Sequence, residues 1–307
     1  MSADTVLRVR ELTHYFGARC VLDQVTFDVP RGSIFAFLGR NGSGKTTTIR
    51  ILLGLLAPTR GSTTVLGTDS RSITPEIRAR IGYMSESHAV YEWMTVRDLG
   101  DYQSRFYARW NQRVFNSVAA HFRLDPRSKA GLLSRGERAG LSLAITLAPE
   151  PELLVLDDPA LGLDPVARRS LLESMLYVTR EAGRTIFFSS HLLDDVERVA
   201  DHVAILDRSV LRASCSVDAF RASVAQYRLH FGEGITPRVP NIRGLLHARS
   251  AADALWMTVA APDAETDRAL RSLGAAAIDE VPLNFTDALT GYLGERDVHE
   301  ALLGGAP

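Results

Sequence analysis

The segment Gly39-Arg40-Asn41-Gly42-Ser43-Gly44-Lys45-Thr46 constrains this chain more than any other. It follows an apolar stretch, Ile34 to Leu38, that reads as a strand. It precedes Thr47 to Leu56, where Ile49, Leu52, Leu53 and Leu56 recur at helical spacing. A strand that turns through glycines directly into a helix is the setting of G-x-x-x-x-G-K-[ST], the phosphate-binding P-loop. The glycines let backbone N–H groups curl inward around phosphates, and the helix N-terminus adds positive dipole character. Gly39, Asn41, Gly42, Ser43, Gly44, Lys45, Thr46 and Thr47 are therefore expected to cradle a nucleoside triphosphate such as ATP. Lys45 is expected to reach the β- and γ-phosphates, and the Thr46 hydroxyl to ligate Mg2+.

The 307 residues leave room for one large domain and a smaller one. A hydrophobic content of 46% suits a globular chain with a full core, and a net charge of −1 lacks the basic footprint of a nucleic-acid binder. No nucleic-acid partner is expected. Cys20 and Cys215 stand alone, without metal spacing or a disulfide framework, as in a reducing cytosol. Met1-Ser2-Ala3-Asp4-Thr5 lacks the basic and apolar regions of a leader peptide. No apolar run approaches the roughly 20 residues that span a bilayer, so any work at a membrane needs a span from another chain.

Val6 to Val9 and Val25 to Val29 read as further strands, with a turn at Pro30-Arg31-Gly32. Ile81 to Met84 reads as a buried strand, Thr95 to His121 as helical and polar, and Gly136 to Pro149 as another helix. Leu153 to Leu156 has the continuous apolar character of a central parallel strand. A helix (Val166 to Thr179) and a strand (Thr185 to Phe188) follow. This alternation predicts an α/β fold: a P-loop core with a mixed sheet and an inserted helical segment at about 87–150. Beyond about residue 213 the runs shorten, as in Gln226 to Phe231 and Ala254 to Val259, which predicts a small C-terminal α+β appendage over 214–307.

The run Leu153-Leu154-Val155-Leu156 ends in Asp157 and Asp158. At the carboxyl end of a parallel strand beside a P-loop, the first acid is placed to hold Mg2+ through water. The second is placed to orient or deprotonate an attacking water.

Three further segments complete an ordered set: Leu133-Ser134-Arg135-Gly136-Glu137, Ala160-Leu161-Gly162-Leu163-Asp164 and Ser189-Ser190-His191. Over about residues 5–213 this order closely resembles the ATP-binding subunits of ABC transporters, of a bacterial exporter-like type. The resemblance implies ATP hydrolysis coupled to transport through a separate transmembrane permease, with membrane contact only through that partner. It implies a cytoplasmic location at the inner face of the membrane. It also implies a head-to-tail dimer, preferred here as a homodimer, around two ATP. In such a dimer Ser134 and Gly136 would meet the γ-phosphate bound by the other protomer, Asp164 would be a further nucleotide-binding residue, and His191 would contact the γ-phosphate. Ser134-x-x-Glu137 is also a local capping box, and both roles can hold together. Phe16 matches the aromatic that stacks on adenine, with Tyr15 the adjacent alternative.

Three positions depart from the family pattern. Asp158 stands where a catalytic glutamate is usual, which removes one methylene of reach and predicts slow hydrolysis. Glu86 stands for a glutamine that touches Mg2+ or water, and an anionic oxygen can ligate the metal too. Arg135 replaces a glycine; it either approaches the other protomer's phosphates or turns to solvent or an acid. Tyr91 and Trp93 either anchor a permease helix or pack the insert on the core. Pro282 to Leu289 resembles a short closing motif of export ATPases, with a use in dimer contact or regulation. Two other functions fit the same motifs: a weakly hydrolysing ATP-dependent regulatory module, and a soluble ABC ATPase outside transport.

Overall fold

Two twelve-residue strands, β1 (Thr5–Phe16) and β2 (Arg19–Pro30), form an antiparallel hairpin that turns at Gly17 with φ 59°. Both are longer than their alternation predicts. Glu11 and Gln24 adopt left-handed φ values of 46° and 49°, and the register shifts beside them. The apolar period breaks there while pairing continues, as at a β-bulge. In this computed structural model, residues 4–232, 239–251 and 254–293 are described. Residues 1–3, on which the reading of the N-terminus partly rests, lie outside the described residues.

The chain divides into two units, Met1–Ser214 and Cys215–Pro307. In the first, β3 (Ile34–Leu38) is buried throughout and feeds α1 (Lys45–Leu52), which starts earlier than its apolar spacing predicts. Next come β4 (Arg60–Val65), β5 (Thr68–Asp69), α2 (Pro75–Arg78) and β6 (Ile81–Met84). The helical insert holds α3 (Val96–Ser104), α4 (Gln112–His121) and α5 (Arg135–Leu147), so the stretch expected to be helical to His121 is interrupted at 105–111. The unit continues with β7 (Leu153–Leu156), α6 (Pro165–Ala182), β8 (Thr185–Ser190), α7 (Leu193–Val199), β9 (His202–Asp207) and β10 (Val210–Ser216).

One mixed sheet orders these strands β5-β4-β1-β2-β10-β9-β3-β8-β7-β6. It is antiparallel among β5, β4, β1 and β2 and parallel from β9 through β6. Leu38 aligns with Ser190 and Leu156 with Phe188, so β3, β7 and β8 end almost level. In an open parallel sheet this carboxyl edge is where ligands bind. Beneath it, Phe187 packs against Phe27, Phe35 and Phe37 with centroids 6.0, 5.8 and 5.5 Å away. Within the insert α4 and α5 approach closely because residue 140 is glycine: a Cβ there would lie 2.2 Å from Phe122 Cγ.

The second unit contains α8 (Val217–Ala222), β11 (Val224–His230), β12 (Leu245–Ala251), β13 (Ala254–Ala260), α9 (Ala264–Ser272), β14 (Ala277–Val281) and α10 (Phe285–Leu293). Its antiparallel sheet runs β12-β13-β11-β14 over a core that includes Leu229, Leu255, Met257, Val259 and Leu270. The Pro282 to Leu289 motif opens α10: Asn284 Oδ1 accepts from the Asp287 N–H at 2.7 Å, and Phe285 and Leu289 are buried. A cap and two core side chains account for that motif locally.

Phe187 is wholly buried at the centre of the aromatic cluster. Phe187→Ala is expected to lower the stability of the first unit by about 3–5 kcal/mol, read as an earlier urea transition.

Candidate functional site

The loop between β3 and α1 closes on its own lysine. Lys45 Nζ donates to the carbonyls of Gly39 at 2.7 Å and Arg40 at 3.3 Å, and the side chain is only 7% exposed. Gly44 takes φ 114°, and a Cβ there would meet Leu22 Cδ2 at 2.7 Å, so β2 presses directly on the loop. Gly39 is equally confined, with the Leu206 carbonyl 2.4 Å from where its Cβ would stand. Ser43 is buried and its hydroxyl has no hydrogen-bond partner among the described residues.

Burial pushes the Lys45 ammonium below its ordinary pKa, opposed by the charges of Asp158, Asp157 and Glu86. A cation whose folded pKa is lowered costs the fold stability at neutral pH. That cost is relieved only as pH rises through the lowered value toward the free-lysine range. An incoming polyanion would compensate the same charge.

The acids at the end of β7 meet this loop through two hydroxyls. Thr46 Oγ1 donates to Asp157 Oδ1 at 3.2 Å, and Ser189 Oγ donates to the same oxygen at 2.8 Å. Ser189 Oγ also accepts the Asp158 N–H at 2.9 Å. Asp158 has φ 45°, uncommon for a non-glycine residue, and this hydrogen bond helps hold it there. Asp158 Oδ2 lies 2.6 Å from His191 Nδ1, where an ionised carboxylate accepts the ring N–H. Asp158 Oδ1 is buried without a hydrogen-bond partner among the described residues.

An open pocket of about 420 Å³ gathers Phe16, Asn41, Gly42, Gly44, Lys45, Thr46 and Thr47 with Glu86, Asp157 and Asp158. Phe16, 51% exposed, lines it. Tyr15 does not: it is the next residue of the same strand, and its N–H is tied to Thr59 Oγ1 at 3.1 Å. Both aromatics are exposed, and of the two it is Phe16 that lines this pocket. Thr46, Asp157 and Glu86 present oxygen donors to one cavity, a donor set that fits Mg2+.

Ser134, Gly136 and Asp164 lie elsewhere, around a different cavity of about 560 Å³. Ser134 caps α5 in a two-way capping box: it accepts from the Glu137 N–H at 3.3 Å, and its own N–H donates to Glu137 Oε2 at 2.8 Å. Asp164 caps α6, accepting from the Val166 and Ala167 N–H groups at 2.9 and 3.0 Å. A Cβ on Gly136 would sit 2.5 Å from Ala167 Cβ, so the glycine lets α5 and α6 touch. Arg135 turns away from that cavity. Its guanidinium rests against Gly162 and lines a cleft with Thr46, Glu86 and Asp157, without an acid partner among the described residues.

Two residues that hydrogen-bond into the site carried no role in the sequence. Ser189 carries no spacing signal, because its role arises from the β7–β8 register. His88 is 5% exposed with φ 47°, and its Nε2–H donates to the Pro159 carbonyl at 3.0 Å. Burial lowers its pKa, partly offset by that bond. Two residues beyond Glu86, it ties this loop to the turn behind Asp158.

Comparisons with known proteins bear on this geometry. The profile of the ABC transporter family matches residues 22–161. The bacitracin transport ATP-binding protein BcrA of Bacillus licheniformis is 33% identical over 225 residues, covering 73% of this chain and 74% of its own. The ABC transporter ATP-binding protein YtrB of Bacillus subtilis is 27% identical over 295 residues, 95% of this chain and 99% of its own. A solved ATP-binding subunit of an ABC transporter superposes with a TM-score of 0.65 at 31% identity, covering 71% of this chain and 92% of that one.

Lys45→Met is expected to raise the melting temperature, by an amount equivalent to about 0.5–2 kcal/mol, while abolishing polyphosphate affinity. The gap from the parent should narrow at alkaline pH. Ser189→Ala strands the Asp158 N–H and should cost about 1–3 kcal/mol, measured by thermal unfolding, with weaker Mg2+-dependent nucleotide binding in a titration.

Proposed function

The chain belongs to the ABC transporter family of ATP-binding proteins, and on that premise we propose that two copies close head to tail around two Mg·ATP and drive a separate permease. What supports the reading is the convergence of Lys45, Thr46, Asp157 and Asp158 at one carboxyl edge of the parallel sheet. Thr46 and Asp157 would hold Mg2+, with Glu86 as a third oxygen donor, and the ion would neutralise phosphate charge. Lys45 exchanges its carbonyl contacts for the β- and γ-phosphates. Asp158 orients the attacking water and accepts its proton. His191 fixes Asp158 through Nδ1 and offers Nε2 to the γ-phosphate.

The separate cavity around Ser134, Gly136 and Asp164 supports the dimer. Since these residues do not line the P-loop pocket, a nucleotide that they serve is one bound by another protomer. Helix α5 directs its N-terminus at that cavity, which suits a γ-phosphate arriving from outside. The permease contact falls to the insert, where Tyr91 and Trp93 are 47% and 69% exposed and lie 6.3 Å apart. No described helix is long and apolar enough to cross a membrane, so in this reading the span comes from the partner at the inner membrane face.

One observation favours a second reading, an ATP-dependent regulatory module with little hydrolysis. Asp158 is a short acid whose Oδ2 is already committed to His191, which leaves one oxygen for a water. In the transporter reading the same feature gives slow turnover and a long-lived ATP-bound dimer.

Steady-state ATPase activity of the purified chain tests both. The transporter motor predicts measurable turnover that is lost in Lys45→Ala and Asp158→Asn. Asp158→Glu should be faster than the parent, approaching the order of 10²-fold associated with a 1 Å misplacement. Tight ATP binding with turnover equal to that of Asp158→Asn would favour the regulatory module.

A further inference from the structure

Beside the exposed Phe16 lies His14, two residues earlier in β1. His14 is only 6% exposed, and neither ring nitrogen has a hydrogen-bond partner among the described residues. A buried imidazole left unpaired at both nitrogens is costly and calls for an explanation. A ring contact supplies it: His14 and Phe16 stand edge to face, with centroids 4.7 Å apart and planes at 81°. Such pairs are attractive through the ring quadrupole, and an N–H edge over a π-face is itself a weak hydrogen bond.

The surroundings give the pair a direction. Across the hairpin His14 is paired with Leu22, whose Cδ2 is the atom that a Cβ on Gly44 would strike at 2.7 Å. One rung of the sheet thus supports both ends of the pocket, the P-loop through Leu22 and the aromatic platform through His14. Phe16 sits at the tip of the hairpin, next to Gly17. An aromatic there would lose rotamer freedom on stacking against a base unless a neighbour had already restricted it.

We propose that His14 is a positioning residue for the nucleobase: it pre-sets the ring of Phe16, so that a purine stacks on a platform already in place. This inference rests on the reading of the pocket as an ATP site. It assigns His14 no contact with the nucleotide and no step in hydrolysis.

Direct binding titrations of the full chain with ATP and with inorganic tripolyphosphate test it. His14→Leu keeps an apolar side chain in the buried site without a ring, and His14→Phe keeps a ring. The expected result is ATP affinity weaker by roughly 2- to 10-fold in His14→Leu, tripolyphosphate affinity unchanged, and ATP affinity restored in His14→Phe. In a Phe16→Leu background, His14→Leu should add no further loss, because the ring that it positions is gone. The proposal is overturned if His14→Leu binds ATP like the parent, if both ligands weaken alike, or if the two losses simply add. Failure of the unaltered chain to bind ATP would overturn the site reading and this inference together. Normal binding by the unaltered chain with any of the three preceding outcomes would overturn this inference alone.

Discussion

A buried ammonium governs the architecture around it. Lys45 is held between two carbonyls of its own loop, with three carboxylates near enough to favour its charge. Burial opposes that charge, so the loop sits in a state that an arriving polyphosphate would relieve. The fold contributes rigidity: a wholly buried strand on one side, a helix on the other, and glycines where no side chain would fit. Lys45 is thereby one of the less comfortable residues of the fold.

Order then spreads outward through single polar atoms. The Ser189 hydroxyl joins two neighbouring strands by serving Asp157 and Asp158 together. His191 closes the same acid from the other side. His88 joins the loop carrying Glu86 to the carbonyl that follows Asp158. These bonds are buried or, at His191, part-buried, conditions under which a polar network specifies one arrangement.

The pocket around Lys45 and Thr46 was legible in the sequence, because a P-loop is a backbone shape and its glycines, Lys45 and Thr46 record that shape directly. Asp157 and Asp158 were legible for a related reason, standing at the end of an apolar run. The α/β class and the mixed sheet followed from the alternation of patterns. The lengths of β1 and β2 did not, since Glu11 and Gln24 interrupt the period without interrupting the pairing. Nor did the break at 105–111 inside a polar helical stretch. Ser189, His88 and His14 were silent because each acts through a register or a packing contact between distant segments. Arg135 was left between the other protomer's phosphates and solvent or an acid; its side chain is exposed, with the guanidinium beside Gly162.

The sheet order carries one more consequence, in the time domain. The P-loop strand β3 pairs with β8 and β9, well over a hundred residues further along the chain. Pairings so distant in sequence close late, because chain entropy must be lost before they return any free energy. The pocket joins Phe16 on the first hairpin to acids that follow β7, so half-folded chains contain its pieces without its shape. A ligand that binds only the finished shape draws the folding equilibrium toward it by mass action. Newly made chains would therefore be sorted by the ligand itself, since nucleotide would be retained by those that had completed the last strand crossing.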